Sequence, residues 1–360
     1  MQDNAMSKWL SPLMAFCVSF IIIATLAPIT GIQIDRQLDF WLLWLATMLI
    51  LALPLCYLEI ALAKRSNTTA LQALSKLTRD ADASAKWRLA GWLAAVFIPF
   101  LVGGVLSNIS QLLQATAVPA LGTPIVLAGL AVLAIVLSFI PRQITVLLTA
   151  VGVLASLVLA NVMGTQLPAW HVTPVEFSEW GSATVLALVA SGLGLGLYWQ
   201  SSLFATQSQE SATQSALPIW FAQLLAVVAF GFFAVKTTVP AYALAFAATM
   251  FAALVLNLAG EQLQQRQIAM PVQWLVILVP VFIWAIPSIS PIFNTVLILW
   301  GLVICLVYAI FVGWIMKISH LRKALNFSNE AFYNIWRIAV RIVIPLSIVL
   351  AIVAVLGRML

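Results

Sequence analysis

The stretch "ASGLGLGLYWQS", from Ala190 to Ser201, places three glycines at alternate positions inside a long apolar segment. Gly192, Gly194 and Gly196 each weaken an α-helix by about 1 kcal/mol relative to alanine. Three interpretations fit such a pattern: a loop that binds phosphate, a face on which helices pack, or an interrupted helix. The composition and context of the chain decide among them.

The composition predicts an integral membrane protein. The 360 residues are 63% hydrophobic and 8% charged, with a mean hydropathy of +1.09, whereas a soluble domain carries about 25% charged residues. The alternating pattern of porin strands is missing from the sequence, so the spanning elements are expected to be helices. The apolar run from Trp9 to about Thr30 exceeds the apolar region of a signal peptide and is expected to be a retained first helix.

Windows that can cross a bilayer, which takes about 20 residues per helix, occur eleven times. We number these membrane segments one to eleven in chain order, at 11–31, 41–63, 89–115, 123–140, 144–163, 182–205, 216–236, 241–262, 271–288, 293–317 and 338–357.

The basic residues predict the orientation. With the N-terminus in the cytoplasm, the outer side keeps only Arg36, Lys236 and Arg358 of the 17 lysines and arginines. This asymmetry follows the positive-inside rule and predicts a multi-pass protein of the inner (cytoplasmic) membrane. The net charge of +6 is then a consequence of topology, so the lipid bilayer is an expected partner and nucleic acid is not.

Two segments contain helix breakers. Segment one carries Pro28 and Gly31 in "ATLAPITG" (24–31), and the glycine run lies in segment six, five segments later. Interruptions at corresponding places of two five-helix halves are typical of inverted-repeat transporters with a binding site near the middle of the membrane. We therefore predict one transmembrane domain over 1–360, with repeat one at 11–163, repeat two at 182–317 and an extra helix at 338–357.

The membrane context also decides among the three interpretations of the glycine run. A phosphate loop needs a preceding strand in a soluble unit, and the sequence offers none. A packing face accounts for Gly192 and Gly196, which are four residues apart, but not for Gly194 or for the polar residues 200–202. An interrupted helix accounts for all of them.

Several stretches resemble one family of transporters. "LPLCYLEIALAKRS" (53–66) is similar to the end of its second helix, "GLGLGLYWQSS" (192–202) to the broken part of its sixth, and 311–350 to its tenth helix, amphipathic connector and eleventh helix. The chain thus resembles a divergent bacterial member of the neurotransmitter:sodium symporter family, with eleven helices and the leucine-transporter fold. The resemblance covers nearly the whole chain.

The resemblance implies an all-α membrane fold of 5+5 inverted repeats plus one helix, with broken helices one and six. It also implies uptake of an amino acid or amine by alternating access. The expected substrate site contains residues of segments one, three and six: Ala24, Thr25, Pro28, Leu106, Asn108, Ser191, Gly192, Gly194 and Trp199.

Departures from the family's motifs affect the ion. "IIIATLAPITG" (21–31) lacks the asparagine, arginine and aromatic residue of the family's first helix, and Val255–Leu256 stand where the family has a sodium-binding Thr-Ser pair. Gln223 and Ala252 are the remaining candidates for a sodium site. Because sodium prefers several hard oxygen ligands, we expect weakened or absent sodium coupling, and no other cofactor.

Other polar residues leave alternatives open. Glu59 is either part of an inner gate or a helix-end partner of Lys64, and Asn108, Gln111 and Asn257 either face the cavity or bond between helices. The cytoplasmic stretch 318–337 is either an interfacial helix or a surface for a protein partner.

Two functions remain. One is a secondary active transporter of a small organic solute, expected to be amino-acid-like; the other is a scaffold that has kept the fold and serves as a receptor or accessory subunit. No Ser/His/Asp set, carboxylate pair or His/Cys cluster occurs in the sequence, so an enzyme is not predicted.

Overall fold

In the computed structural model the chain folds into a helical bundle. The structure describes residues 2–30, 37–163, 169–199, 211–231, 240–286, 288–317 and 319–358, and of residues 2–8 only the backbone. The α-helices of this described part are α1 (Gln2–Leu26), α2 (Leu38–Thr47), α3 (Leu53–Ser66), α4 (Ala70–Asp80), α5 (Leu89–Thr116), α6 (Thr123–Leu137), α7 (Arg142–Val162), α8 (Phe177–Leu188), α9 (Thr213–Ala229), α10 (Ala241–Gln265), α11 (Met270–Phe282), α12 (Ser290–Ile310), α13 (Ser319–Leu325), α14 (Glu330–Ile338) and α15 (Ile344–Gly357).

Each of the eleven sequence windows contains at least part of a helix that the structure describes. Seven helical stretches are long and apolar enough to cross a membrane, and three shorter apolar helices are α6, α9 and the stretch from Met270 to Ala285. Segment six contains the short helix α8. Gly31, Arg36, Lys236 and the polar residues 200–202, which the sequence interpretation used, lie outside the described residues.

One side of α6 and α7 presents apolar side chains to the outside of the bundle. Val132, Val136, Leu147 and Val158 are each more than half exposed. In water such a surface would be unfavourable, but lipid tails are as apolar as these side chains. The chain is therefore a multi-pass membrane protein whose outer surface suits a bilayer.

Helix α1 is continuous where an interruption was expected. It runs without a break from Gln2 to Leu26, about 37 Å at 1.5 Å per residue, and the chain then turns over Ala27–Thr30. The helix breaker Pro28 therefore lies after the end of α1 and not within it. The expected interruption of segment one thus takes the form of a turn after the end of the helix.

A π-helical turn at Ala339–Val343 interrupts the α-helix of segment eleven. It ends two residues before Pro345, whose missing N–H leaves the carbonyl of Arg341 without its usual helical donor. The indole Nε1 of Trp314 donates to this carbonyl at 3.1 Å. Segment ten therefore supplies the bond that the proline removes, and the two segments are tied together.

Helix α4 confirms the amphipathic pattern predicted for residues 64–88. Its Leu71, Leu74 and Leu77 are buried, and Leu71 and Leu74 lie against Gly91 of α5.

The predicted interfacial stretch 318–337 contains α13 and α14 and is docked onto segment two. Trp336 of α14 donates from Nε1 to the carbonyl of Pro54 at 3.0 Å. Both of these amphipathic stretches are thus packed against the bundle.

The contact of segments three and nine yields a stability prediction. A Cβ on Gly103 would lie 2.4 Å from Cδ1 of Trp284 and 2.9 Å from the carbonyl oxygen of Val281. Since Trp284 is itself held by a 3.0 Å bond from its Nε1 to the carbonyl of Phe100, it cannot easily give way. We expect Gly103→Ala to destabilise the fold by about 1–3 kcal/mol, the usual cost of overpacking.

The matched control is Gly129→Ala in α6, where an added Cβ meets nothing within 4 Å. There the alanine improves helix propensity by up to about 1 kcal/mol, so the midpoint of thermal unfolding in detergent should stay or rise. Equal midpoints for the two variants would contradict the packing described for Gly103.

Candidate functional site

The glycine run is a real interruption of segment six. The α-helix ends at Leu188, residues 189–198 form consecutive turns, and helix resumes at Trp199. Gly192, Gly194 and Gly196 have φ angles of +70°, +80° and +72°. Glycine adopts this left-handed region without the steric penalty of other residues. The interpretation as an interrupted helix is therefore confirmed, and the interpretation as a packing face alone is wrong.

The carbonyl oxygen of Ser191 is the polar centre of the interruption. It accepts hydrogen bonds from the hydroxyl of Tyr198 at 2.6 Å, from Nε2 of Gln223 at 3.1 Å and from the hydroxyl of Ser19 at 3.3 Å. The Ser191 hydroxyl donates back to the carbonyls of Ala187 and Leu188. Segments one, six and seven thus satisfy a carbonyl that lost its helical partner, as the interior of a membrane requires.

Glu59 holds the other end of the run. Its Oε1 accepts a 2.8 Å bond from the backbone N–H of Gly196, and only 1% of the residue is exposed. Of the two alternatives, pairing with Lys64 at a helix end is therefore wrong for this residue. Glu59 belongs to the interruption of segment six, which it reaches from α3.

The three glycines also touch three different parts of the bundle. A Cβ on Gly194 would lie 3.0 Å from Sγ of Cys305, and one on Gly196 would lie 2.5 Å from Cβ of Ala70, at the start of α4. Around Gly192 the nearest side chain atoms are the Tyr198 hydroxyl and Cγ1 of Val18. Two constraints therefore favour glycine at these positions. The backbone angle is left-handed, and the neighbouring atoms leave little room for a Cβ.

The run is enclosed on all sides. Every residue from Ser191 to Trp199 is buried, and Trp199 packs edge-on against Tyr308 of α12 with 6.4 Å between ring centroids. Leu193, Leu195 and Leu197 are 2% exposed or less. The surroundings of the interruption are therefore apolar, with polar groups only along its backbone.

The residues expected from segment one lie elsewhere. The contacts of Ser19 with Ser191 and of Thr30 with Ser182, whose hydroxyl donates to the Thr30 carbonyl at 3.1 Å, show that α1 and α8 run antiparallel. The level of the glycine run corresponds to Val18 and Ser19. Ala24 and Thr25 lie at the C-terminal end of α1, and Pro28 is exposed in the turn.

Thr25 is also engaged locally, because its hydroxyl donates to the carbonyls of Ile21 and Ile22 in its own helix. The structure thus does not bring Ala24, Thr25 and Pro28 to the interruption. The prediction failed because it aligned the two segments by their helix breakers, and the break in segment one lies after the helix.

The asparagines that the sequence offered as cavity residues bond helices together. The amides of Asn108 in α5 and Asn294 in α12 bond to each other at 3.4 Å, and Asn257 donates to the carbonyl of Ser138 at 2.8 Å. Gln111 is exposed, and Leu106 is fully buried in α5. Asn108 is thus an interhelical residue and not an open ligand donor.

The candidate sodium ligands do not form a suitable set. Gln223 donates from Nε2 to the Ser191 carbonyl and keeps a buried Oε1 without a hydrogen-bond partner, so it offers one side-chain oxygen, whereas Ala252, Val255 and Leu256 are buried residues that offer none. The Ser191 carbonyl itself already accepts three bonds. Because sodium needs several oxygens arranged around one point, these residues do not fit the ion.

Four residues of the site were missed in the sequence: Ser19, Tyr198, Cys305 and Tyr308. Tyr198 stands inside the run and Ser19 is a polar residue in the middle of an apolar helix, so both carried a signal. Cys305 and Tyr308 lie in an apolar stretch of segment ten, where the sequence alone gives no reason to single them out.

Comparison with known proteins identifies the fold. No family model and no curated protein matches the chain. Among solved structures, a crystal structure of MhsT in complex with L-phenylalanine matches with a TM-score of 0.64 and 14% identity, over 96% of this chain and 98% of that chain. At this identity the likeness is one of fold, and it confirms the all-α membrane fold that the sequence resemblance predicted.

The shared acceptor at Ser191 yields a second prediction. Tyr198→Phe removes the shortest of its three hydrogen bonds, so we expect the free energy of unfolding to fall by about 1 kcal/mol, the usual net value of one such bond. Tyr242→Phe is the matched control, because this exposed hydroxyl makes only a 3.5 Å contact with the Ala117 carbonyl. Denaturation in detergent measures both, and an equal effect of the two substitutions would argue against a structural role of Tyr198.

Proposed function

We propose that the chain is a secondary active transporter of a small organic, amino-acid-like solute, working by alternating access around the interruption of segment six. The observation that carries this proposal is the buried contact of Glu59 with the glycine run. An acidic residue inside a membrane is costly and in general functional. The segment that Glu59 contacts, segment six, is itself weakened as a helix by three glycines in the left-handed conformation. A bundle that served only as a scaffold would be more stable with a continuous helix.

The chemistry of the run favours this class of solute. Exposed backbone groups at an interrupted helix bind the charged ends of small ligands, and the positive end of a half-helix attracts a carboxylate. The leucines of the run supply an apolar surface for a side chain. An amino acid with an apolar side chain matches both features, and L-phenylalanine, the ligand in the MhsT crystal structure, is the natural first probe.

We infer further that transport does not depend on sodium. The support is the ligand set already described, in which the Oε1 of Gln223 is a single side-chain oxygen and Ala252, Val255 and Leu256 add none.

The second candidate, a scaffold without transport, is favoured by a specific observation. Helix α1 is continuous opposite the run, and the Ser191 carbonyl is saturated by Ser19, Tyr198 and Gln223. A site that binds solute in this conformation would have to displace these donors first. Uptake measurements separate the two candidates.

The transport proposal predicts uptake by purified protein in liposomes, with a panel of amino acids and amines that begins with L-phenylalanine. We expect accumulation of at least one member, with the same rate when the sodium gradient is replaced by choline. A strict requirement for sodium would refute the inference on the ion. Failure of folded protein to bind or move any member would refute transport in favour of the scaffold.

The interruption itself is tested by Gly194→Leu. The left-handed φ of +80° and the Cys305 sulfur, 3.0 Å from where a Cβ would lie, exclude the larger side chain, so transport should be abolished while expression and membrane insertion persist. The matched control is Gly260→Leu in α10, where an added Cβ meets nothing within 4 Å and uptake should continue. Full uptake by the Gly194 variant would refute the role of the interruption.

A further inference from the structure

The carboxyl group of Glu59 has one engaged oxygen and one without a partner. Oε1 accepts the N–H of Gly196 at 2.8 Å, while Oε2 is buried and makes no hydrogen bond. None of the ion pairs in the described part of the chain involves this residue. A carboxylate in such a place has lost its hydration without gaining a counter-ion, which costs several kcal/mol.

The groups that face Glu59 do not supply the missing positive charge. Among the described residues, its electrostatic neighbours are acids that are neutral when protonated: Cys56 on its own helix, Tyr198 in the run, and Cys305 and Tyr308 on α12.

None of the ion pairs in the described residues joins Glu59 to Lys64 of its own helix. Basic side chains on the elements packed against α3 are either exposed, as Arg79, Arg322 and Lys323 are, or engaged elsewhere. Arg65 pairs with Asp80 and contacts His320, Lys76 donates to the Ser66 carbonyl, and Arg341 donates to the Gly313 carbonyl. A proton on Oε2 is therefore the cation that would remove the uncompensated charge.

We propose that Glu59 is a proton-binding site that couples a transmembrane pH gradient to movement of the glycine run. This inference rests on the proposed transport function and names its coupling ion. The proton takes the place of sodium, for which the residues around Ser191 do not fit.

The geometry gives the coupling a direction. A hydrogen bond to an ionised acceptor is roughly twice as strong as one between neutral groups, so the carboxylate holds the N–H of Gly196 firmly. When a proton binds at Oε2, the group becomes a neutral acid and the bond from Gly196 weakens. The run is then freer to move, and release of the proton on the other side of the membrane restores the carboxylate and the strong bond.

The contact of Gly196 with α4 places this event next to the cytoplasmic side. A Cβ on Gly196 would lie 2.5 Å from Cβ of Ala70, the first residue of α4. Movement of the run at Gly196 therefore requires α4 to give way. The protonation state of Glu59 is thus linked through one backbone N–H to the packing of a cytoplasmic helix.

The first test does not need a substrate. Infrared difference spectra of purified protein, recorded as the pH is lowered, should show the C=O band of a protonated carboxyl that is missing from Glu59→Gln. The glutamine keeps an oxygen acceptor for Gly196 N–H, and thermal unfolding shows whether the variant is folded. Spectra in which wild type and folded variant titrate alike would overturn the proposal.

The second test measures flux in liposomes with the same amino-acid and amine panel, L-phenylalanine first. A gradient of one pH unit sustains about tenfold accumulation if one proton moves with each solute, because 1.36 kcal/mol corresponds to a factor of ten. Wild type should accumulate solute when the trapped interior is alkaline and a pH dye inside should report acidification. Glu59→Gln should exchange solute across the membrane without accumulating it.

A matched control is Glu261→Gln. Glu261 pairs with Arg142 at 3.7 Å and its side chain is 40% exposed, so it should accumulate solute like wild type. Solute flux that ignores the pH gradient would overturn the proton site while leaving transport intact. If no panel member moves, transport itself is refuted, and the infrared titration still supports or overturns proton binding at Glu59.

Discussion

Inside a bilayer every backbone N–H and C=O must find a partner within the protein, and in this chain that constraint is hardest to meet at the interruption of segment six. The N–H of Gly196 bonds to Glu59 of segment two, and the carbonyl of Ser191 bonds to side chains of segments one, six and seven. Three other segments are thereby tied to one short stretch of segment six. The arrangement of the bundle's centre depends on these bonds.

The sequence predicted the fold because its signals were long and redundant. The eleven apolar windows and the asymmetry of basic residues are signals that sum over many positions. The three alternate glycines inside an apolar run indicated the left-handed turns directly. The level at which segments one and six meet was not predictable in this way. It depends on whether Pro28 falls inside or after a helix, and α1 ends at Leu26. An offset of a few residues moved three expected site residues out of contact with the run.

The side chains of the site were predictable only where their polarity stood out. Glu59 was singled out from its position, but its partner could not be, because a backbone N–H has no signature in the sequence. Gln223 was chosen as a possible ion ligand, and the structure engages its amide with the Ser191 carbonyl. The same property, a polar group in an apolar helix, serves ion binding and backbone capping equally well. Only the distances between atoms in the structure show which of these two roles a given side chain has.

The continuity of α1 changes how movement at the centre can occur. With two broken helices, both could bend at the same level; here α1 is a continuous helix opposite the run, so the proposed transport cycle requires segment six to bend. Its two anchors differ in kind. The bonds to the Ser191 carbonyl come from neutral donors and have a fixed strength, whereas the bond to Glu59 involves a group whose charge can change. A change of pH can therefore act on the run through the bond to Glu59 on α3. Because α4 is in contact with Gly196, it is the first element that a movement of the run would displace.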